Sequence, residues 1–164
     1  MGGPVLVVMG VSGSGKTTVG RAIAARAGWP FLDADDLHSP ESVARMAAGI
    51  PLTDADRWPW LDRVAAWIAG RRGEPGIVAC SALKRMYRDR LRAANPNLRF
   101  VYLKATPQEI TDRLANRTGH FFPPALARAQ FNDLQEPGPE EKPIIVPIGQ
   151  TPDDIVNRVL AELA

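Results

Sequence analysis

Cysteine occurs once in the 164 residues, at Cys80, so no intramolecular disulfide framework can hold this chain together, and a reducing compartment suits it. Long apolar runs are missing as well. The N-terminal one, PVLVVM over 4–9, falls far short of the roughly 20 residues of a membrane span, and it lacks the basic flank and length of a signal peptide. Gly2 is followed by Leu6 where a myristoylation signal would carry Ser or Thr. A cytoplasmic protein with no membrane partner is therefore expected. Basic residues are dispersed: 16 Arg and 4 Lys never run longer than two, and a net charge of +2 is too small to argue for nucleic acid. There is no internal repeat, and the one linker-like stretch, EPGPEEKP over 136–143, reads as a surface loop.

What is present is an ordinary globular composition, 45% apolar and 23% charged, which removes the disordered and fibrous classes. The length fits one domain, residues 1–164, able to bury roughly 68–70% of the surface its unfolded form exposes. Apolar, β-branched stretches alternate with segments of helical period, the pattern of an α/β fold with a mainly parallel sheet. Strands are expected over 4–9, 29–33, 76–81, 98–105 and 143–148. Helix starts are marked by Ser39-Pro40-Glu41, Thr106-Pro107-Gln108-Glu109 and Thr151-Pro152-Asp153-Asp154, each an N-cap hydroxyl followed by Pro and acids that suit the dipole. Gly49 ends the first of these. Pro96 stops the helix that begins near Lys84, because its ring disfavours helical geometry at Asn95. Trp60, Val64, Trp67 and Ile68 recur at helical spacing and read as core, as does Cys80.

Directly after the first strand, Gly10-Val11-Ser12-Gly13-Ser14-Gly15-Lys16-Thr17 matches G-x-x-x-x-G-K-S/T at every fixed position. Its glycines let successive backbone N–H groups turn inward around a phosphate, and the following helix adds its positive end. Lys16 would bridge the β- and γ-phosphates of ATP, the Thr17 hydroxyl would ligate Mg²⁺, and Thr18 extends the nucleotide-binding set. The loop alone does not name a reaction.

FLDADDLH over 31–38 then concentrates acid beside that loop. Ligands of an open parallel sheet collect at the C-terminal strand ends. Asp33, closing the second strand, can hold Mg²⁺ directly or through its waters, a role for which the third strand, GIVACS, offers no acid. Asp35 can face an acceptor hydroxyl and take its proton as the phosphoryl group moves. Asp36 and His38 are left to bind a polyhydroxylated substrate or to cap the next helix, and for Asp36 the cap or a solvated turn is the simpler role. Arg57 sits in PLTDADRWPWL, a stretch read as a loop rich in turn formers; its guanidinium can grip a carboxylate through two parallel bonds, or pair with Asp54 or Asp62. Arg113 and Arg117 are four apart and share one helix face, with Gly119 as a hinge before His120, Phe121 and Phe122. Arginine on a closing segment neutralises charge on a transferred phosphoryl group; the alternative is a surface pair with Asp112 or Glu109.

Together DADDLH, ARMAAGIPLTDADRWPWL, CSALKRMYRDRLR and RLANRTGHFFPPALARAQFNDL resemble the successive signature blocks of the gluconate kinases, in order and at similar spacing, over essentially the whole chain. The resemblance implies a P-loop NTPase-type three-layer α/β/α fold, a five-stranded parallel sheet of order 2-3-1-4-5, and a mobile lid, here about 117–135. It implies ATP- and Mg²⁺-dependent phosphorylation of D-gluconate on its 6-hydroxyl, with a homodimer expected. It turns Arg57 toward substrate. The substrate-binding set becomes Asp35, His38, Arg57, Ser81, Lys84, Arg88, His120 and Gln130, with Arg88 also reading as part of a solvated helix face. Nucleotide falls to residues 10–18 with Arg113 and Arg117, metal to Thr17 and Asp33, and catalysis to Lys16, Asp35 and Arg117. Phe121-Phe122 departs from the family's usual Phe-Met, and Gln135 stands where the family often has Glu.

Two rivals remain at this point. Shikimate or a nucleoside monophosphate could be the acceptor on the same scaffold, although shikimate kinases usually carry a glycine run where CSALK stands. A regulatory nucleotide-binding protein would have no use for a base at Asp35 or a lid arginine.

Overall fold

The structure, a computed structural model, describes residues 4–71, 73–115 and 124–163. Five parallel strands form one sheet in the order β2-β3-β1-β4-β5: β1 is Val5–Met9, β2 Phe31–Asp33, β3 Gly76–Ala79, β4 Leu98–Lys104 and β5 Ile144–Pro147. In the centre, Val5 pairs with both Gly76 and Leu98, which brings the C-terminal ends of β1, β2 and β3 level on one edge. The expected topology is the observed one.

Alternation along β1 divides the core. Leu6 and Val8 face a cluster with Val19, Ile23, Ile155 and Val159, from helices α1 (Lys16–Ala27) and α7 (Pro152–Leu163). Val5, Val7 and Met9 face Trp60, Leu61, Val64, Tyr87 and Leu91, from α3 (Asp54–Ala69) and α4 (Arg85–Ala94). Both faces of the sheet are covered, as a parallel sheet requires, giving three layers. Close approach of α1 to β2 depends on Gly20, where a Cβ would stand 2.7 Å from the Phe31 ring.

Expected caps are present. Ser39 accepts from the Ser42 amide at 3.2 Å ahead of α2 (Pro40–Ala47), and Thr106 and Glu109 form a reciprocal box ahead of α5 (Pro107–Ala115). Thr151 accepts from the Asp154 amide at 3.1 Å. The stretch around Arg57 is different from expectation. Thr53 and Asp56 make a capping box, at 3.1 and 2.9 Å, so the acids of TDADR open a helix rather than fill a loop. Pro59 lies within the helix, and Arg57 is in its first turn. Of the expected lid, residues 117–123 lie outside the described residues, with Arg117, His120, Phe121 and Phe122 among them; α6 (Pro124–Asp133) follows.

Candidate active site

Three left-handed glycines shape the loop between β1 and α1. Gly10, Gly13 and Gly15 have φ of 150°, 85° and 99°, and a Cβ at Gly10 would lie 2.8 Å from Ser14 Oγ. The loop is braced from within and without. Ser14 Oγ donates to the Val11 carbonyl at 2.7 Å, Lys16 Nζ donates to the same carbonyl at 3.0 Å, and the Gly10 amide donates to Ser81 O at 3.2 Å. Arg113 Nη1 reaches Gly13 O and Ser14 O at 3.1 and 3.2 Å, so this arginine rests on the phosphate loop. No acid of its own stands in the first turn of α1. Thr18 is exposed one residue further along that helix.

Beside the loop, Asp33 uses both carboxylate oxygens. Oδ2 accepts from Thr17 Oγ1 at 3.0 Å, and Oδ1 accepts from the Asp35 amide at 3.0 Å, capping a short 3-10 helix over Ala34–Leu37. One carboxylate therefore ties the loop hydroxyl to the turn that carries Asp35. Among the described residues no cluster of three or more His, Cys, Asp or Glu could cage a metal. One carboxylate and one hydroxyl next to a phosphate loop fit Mg²⁺, which keeps several waters and takes its remaining ligands from substrate phosphates.

The phosphate loop and the turn that carries Asp35 border a cavity of about 430 Å³. Ser12 and Lys16 line its phosphate end, Asp35, His38, Arg57 and Ser81 its middle, and Gln130 and Asp133 of α6 another wall; Val43, Met46, Ala47 and Leu52 supply an apolar side. Asp35 stands within the cleft. Its side chain is 76% exposed, yet crowding by the surrounding protein, with Asp33 and Asp36 beside it, raises the carboxyl above the usual range against the pull of Lys16. His38 stacks on Trp60 at 4.3 Å between ring centres, and the indole is itself fixed by Nε1 donating to Ala34 O at 2.6 Å. Burial, with Arg63 and Arg57 nearby, pushes His38 down to about 4, so the ring is neutral at physiological pH.

Arg57 is only 16% exposed and neither of its two anticipated partners holds it. Nη1 donates to Tyr87 Oη at 3.1 Å and lies 3.4 Å from Asp133 Oδ2. Gln130, three residues before Asp133 on α6, accepts the Ser12 amide at 2.6 Å and donates to Ser12 Oγ at 2.8 Å. The sequence reading missed Asp133; its signal was the i, i+3 spacing from Gln130.

Two expected pocket residues are elsewhere. Arg88 is fully buried and spends all five N–H donors on protein: Nε and Nη2 on Glu141, Nη1 on Ala82 O and Leu83 O, and Nη2 again on Gln135 O. It is a structural tie, neither a substrate ligand nor part of a solvated face. Lys84 lies outside the cavity lining and pairs with Asp54 at 2.9 Å. Gln135 is also structural, accepting the Arg85 amide at 2.9 Å and donating its own amide to Leu83 O at 2.8 Å.

A family model described as an AAA domain matches residues 5–137. A gluconokinase of Gluconobacter oxydans is 45% identical over 94% of this chain and 88% of its own length. The chain belongs to the gluconokinase family. The thermoresistant gluconokinase of Escherichia coli is 46% identical, over 87% of this chain and 82% of its own. The crystal structure of a gluconokinase from Sinorhizobium meliloti superposes with a TM-score of 0.90 at 47% identity, covering 99% of this chain and 91% of that one. The sequence blocks that resembled the gluconate kinases thus lie in a chain of that family, on a gluconokinase fold.

Proposed function

We propose that this gluconokinase-family chain transfers the γ-phosphoryl group of ATP to the 6-hydroxyl of D-gluconate, forming 6-phosphogluconate. The observation that carries the proposal is a single cavity lined by a phosphate-loop cation, Lys16, a carboxylate, Asp35, and a guanidinium, Arg57. A sugar acid has an anion at one end and a primary hydroxyl at the other, and those three groups match both ends and the donor phosphate.

The backbone amides of residues 10–17 and the N-terminus of α1 hold the phosphates, and Lys16 offsets charge on the β- and γ-groups. Arg113 keeps the loop in shape through Gly13 O and Ser14 O. Thr17 and Asp33 would hold Mg²⁺, which would supply positive charge to offset that of the phosphates. Arg57 takes the substrate carboxylate; His38 and Ser81 are placed for its hydroxyls, and Gln130, already on Ser12, for the junction of acceptor and phosphate. Asp35 accepts the 6-hydroxyl proton as that oxygen bonds to the γ-phosphorus. The bond to the bridging oxygen breaks, and ADP departs with its electron pair. Arg117 and His120, outside the described residues, keep their expected roles at the transferred phosphoryl group and the substrate. A cytoplasmic homodimer accompanies this assignment, and light scattering of the purified chain checks its size.

The test is ADP release from ATP and Mg²⁺ with gluconate, with shikimate, with nucleoside monophosphates, and with no acceptor. Turnover should rise with gluconate alone. An unchanged rate at saturating gluconate removes the substrate assignment.

A further inference from the structure

Behind Arg57, away from the cavity, three side chains form a chain of contacts. Tyr87, on α4 and 2% exposed, accepts from Arg57 Nη1 and donates its own O–H to Asp54 Oδ1 in a short hydrogen bond. Asp54, at the first position of α3, also accepts from Lys84 Nζ at 2.9 Å. The Tyr87 ring is packed on its sides by Arg57 at 5.7 Å, Lys84 at 5.8 Å and the edge of Trp58 at 5.6 Å. Neither Tyr87 nor Asp54 lines the cavity.

The order of these contacts has an electrostatic consequence. Because the Tyr87 O–H donates to Asp54, its lone pairs turn to Arg57, and the guanidinium is held from behind by a neutral acceptor. Of the carboxylates near it, Asp54 is set back behind the phenol and balanced by Lys84, and Asp133, at 3.4 Å on the cavity wall, makes a single long contact with the same Nη1. Asp54 is held below the usual carboxylate range by Tyr87 and Lys84, and Tyr87 above its own by burial and by Asp54, so the phenol stays protonated and the direction of donation is fixed. Arg57 is thereby fixed in position from behind by a neutral acceptor, and its carboxylate contact on the cavity wall is the 3.4 Å pair with Asp133.

We infer that Tyr87, oriented by Asp54, is a positioning residue that aims Arg57 at the carboxylate of the acceptor. The inference rests on the assignment of Arg57 to the substrate carboxylate. It also gives Lys84 a part in acid recognition, as counter-ion to Asp54, without contact with substrate.

Steady-state kinetics of Tyr87→Phe, Asp54→Ala, Arg57→Ala and the Tyr87→Phe/Arg57→Ala double variant test it. Tyr87→Phe keeps the ring and loses the acceptor, so KM for gluconate should rise about tenfold, while kcat at saturating gluconate and KM for ATP change less than about twofold. Asp54→Ala frees the phenol to rotate and should raise the same KM by about two- to fivefold, which serves if Tyr87→Phe folds poorly. In the Arg57→Ala background, Tyr87→Phe should add nothing, since it acts through Arg57. A normal gluconate KM in Arg57→Ala itself sinks the assignment of Arg57. A raised KM there with normal values in both Tyr87→Phe and Asp54→Ala, or equal losses for ATP and gluconate, overturns the positioning role alone.

Discussion

Replacing Asp33 and Asp35 one at a time by Asn should separate two kinds of damage that a general loss of charge would merge. Asp35→Asn keeps shape and the backbone amide that Asp33 caps, so nucleotide and metal binding stay near normal. Without a proton acceptor, kcat should fall by about 10²–10⁴, and no concentration of metal should restore it. Asp33→Asn acts on the ion. Both Asp33 oxygens are in use, and an amide retains one as acceptor, so either the cap on Asp35 or the polarity of the Thr17 contact changes, at about 1 kcal/mol of stability. Removing a charged contact to the ion or its waters, worth about 1.5–3 kcal/mol, should raise half-saturating Mg²⁺ about ten- to a hundredfold, with partial rescue by excess Mg²⁺ or by Mn²⁺. The assay is a Mg²⁺ titration of both variants at saturating ATP and gluconate. A fully active Asp35→Asn enzyme, or the same metal response from both, refutes the division of labour.

Further outcomes follow from the same geometry. Ionised Asp35 costs the fold stability, because its raised carboxyl binds a proton more readily than in the unfolded chain. That cost is absent below the ordinary value near 3.8 and complete above the raised one, so Asp35→Asn should melt slightly higher than the parent at neutral pH, by a margin that solvent at the exposed side chain keeps small, and the gap should close in acid. Neutral His38 works in the other direction. Its contribution is complete above 6.5 and is lost as pH falls toward about 4, about 3 kcal/mol in all, so the parent should lose stability over that window more steeply than His38→Asn; parallel curves would contradict it. Glu141→Ala leaves the Arg88 charge buried and uncompensated and should cost about 3–5 kcal/mol in denaturant unfolding, without a selective rise in gluconate KM. A selective rise would return Arg88 to the substrate pocket.

The fold was legible because its signals are local and agree with one another. The strand patterns, the phosphate loop and the hydroxyl-Pro-acid helix starts each required only a few neighbouring residues. Asp33 and Asp35 were placed by a general rule about strand ends, and the structure sets both beside the loop. What failed depended on distant partners. Arg88 has the spacing of a surface arginine, and only the loop carrying Gln135 and Glu141, about fifty residues away, takes it into the interior. Lys84 adjoins Ser81 in sequence but turns to Asp54 on another helix. TDADR was read as a loop because its turn formers are also cap formers, whereas the body of the helix that follows was legible from the helical spacing of Trp60, Val64, Trp67 and Ile68. Asp133 and Tyr87 have no meaning until α6 and α4 are brought against Arg57.

The most direct measurement of the central claim is phosphorus NMR of a mixture of the purified chain, ATP, Mg²⁺ and D-gluconate. A phosphomonoester signal coupled to the two protons of carbon 6 should appear as the γ-phosphate signal of ATP declines, one equivalent for one. Inorganic phosphate as the sole product, an ester at another carbon, or an undiminished γ-phosphate signal would contradict the account.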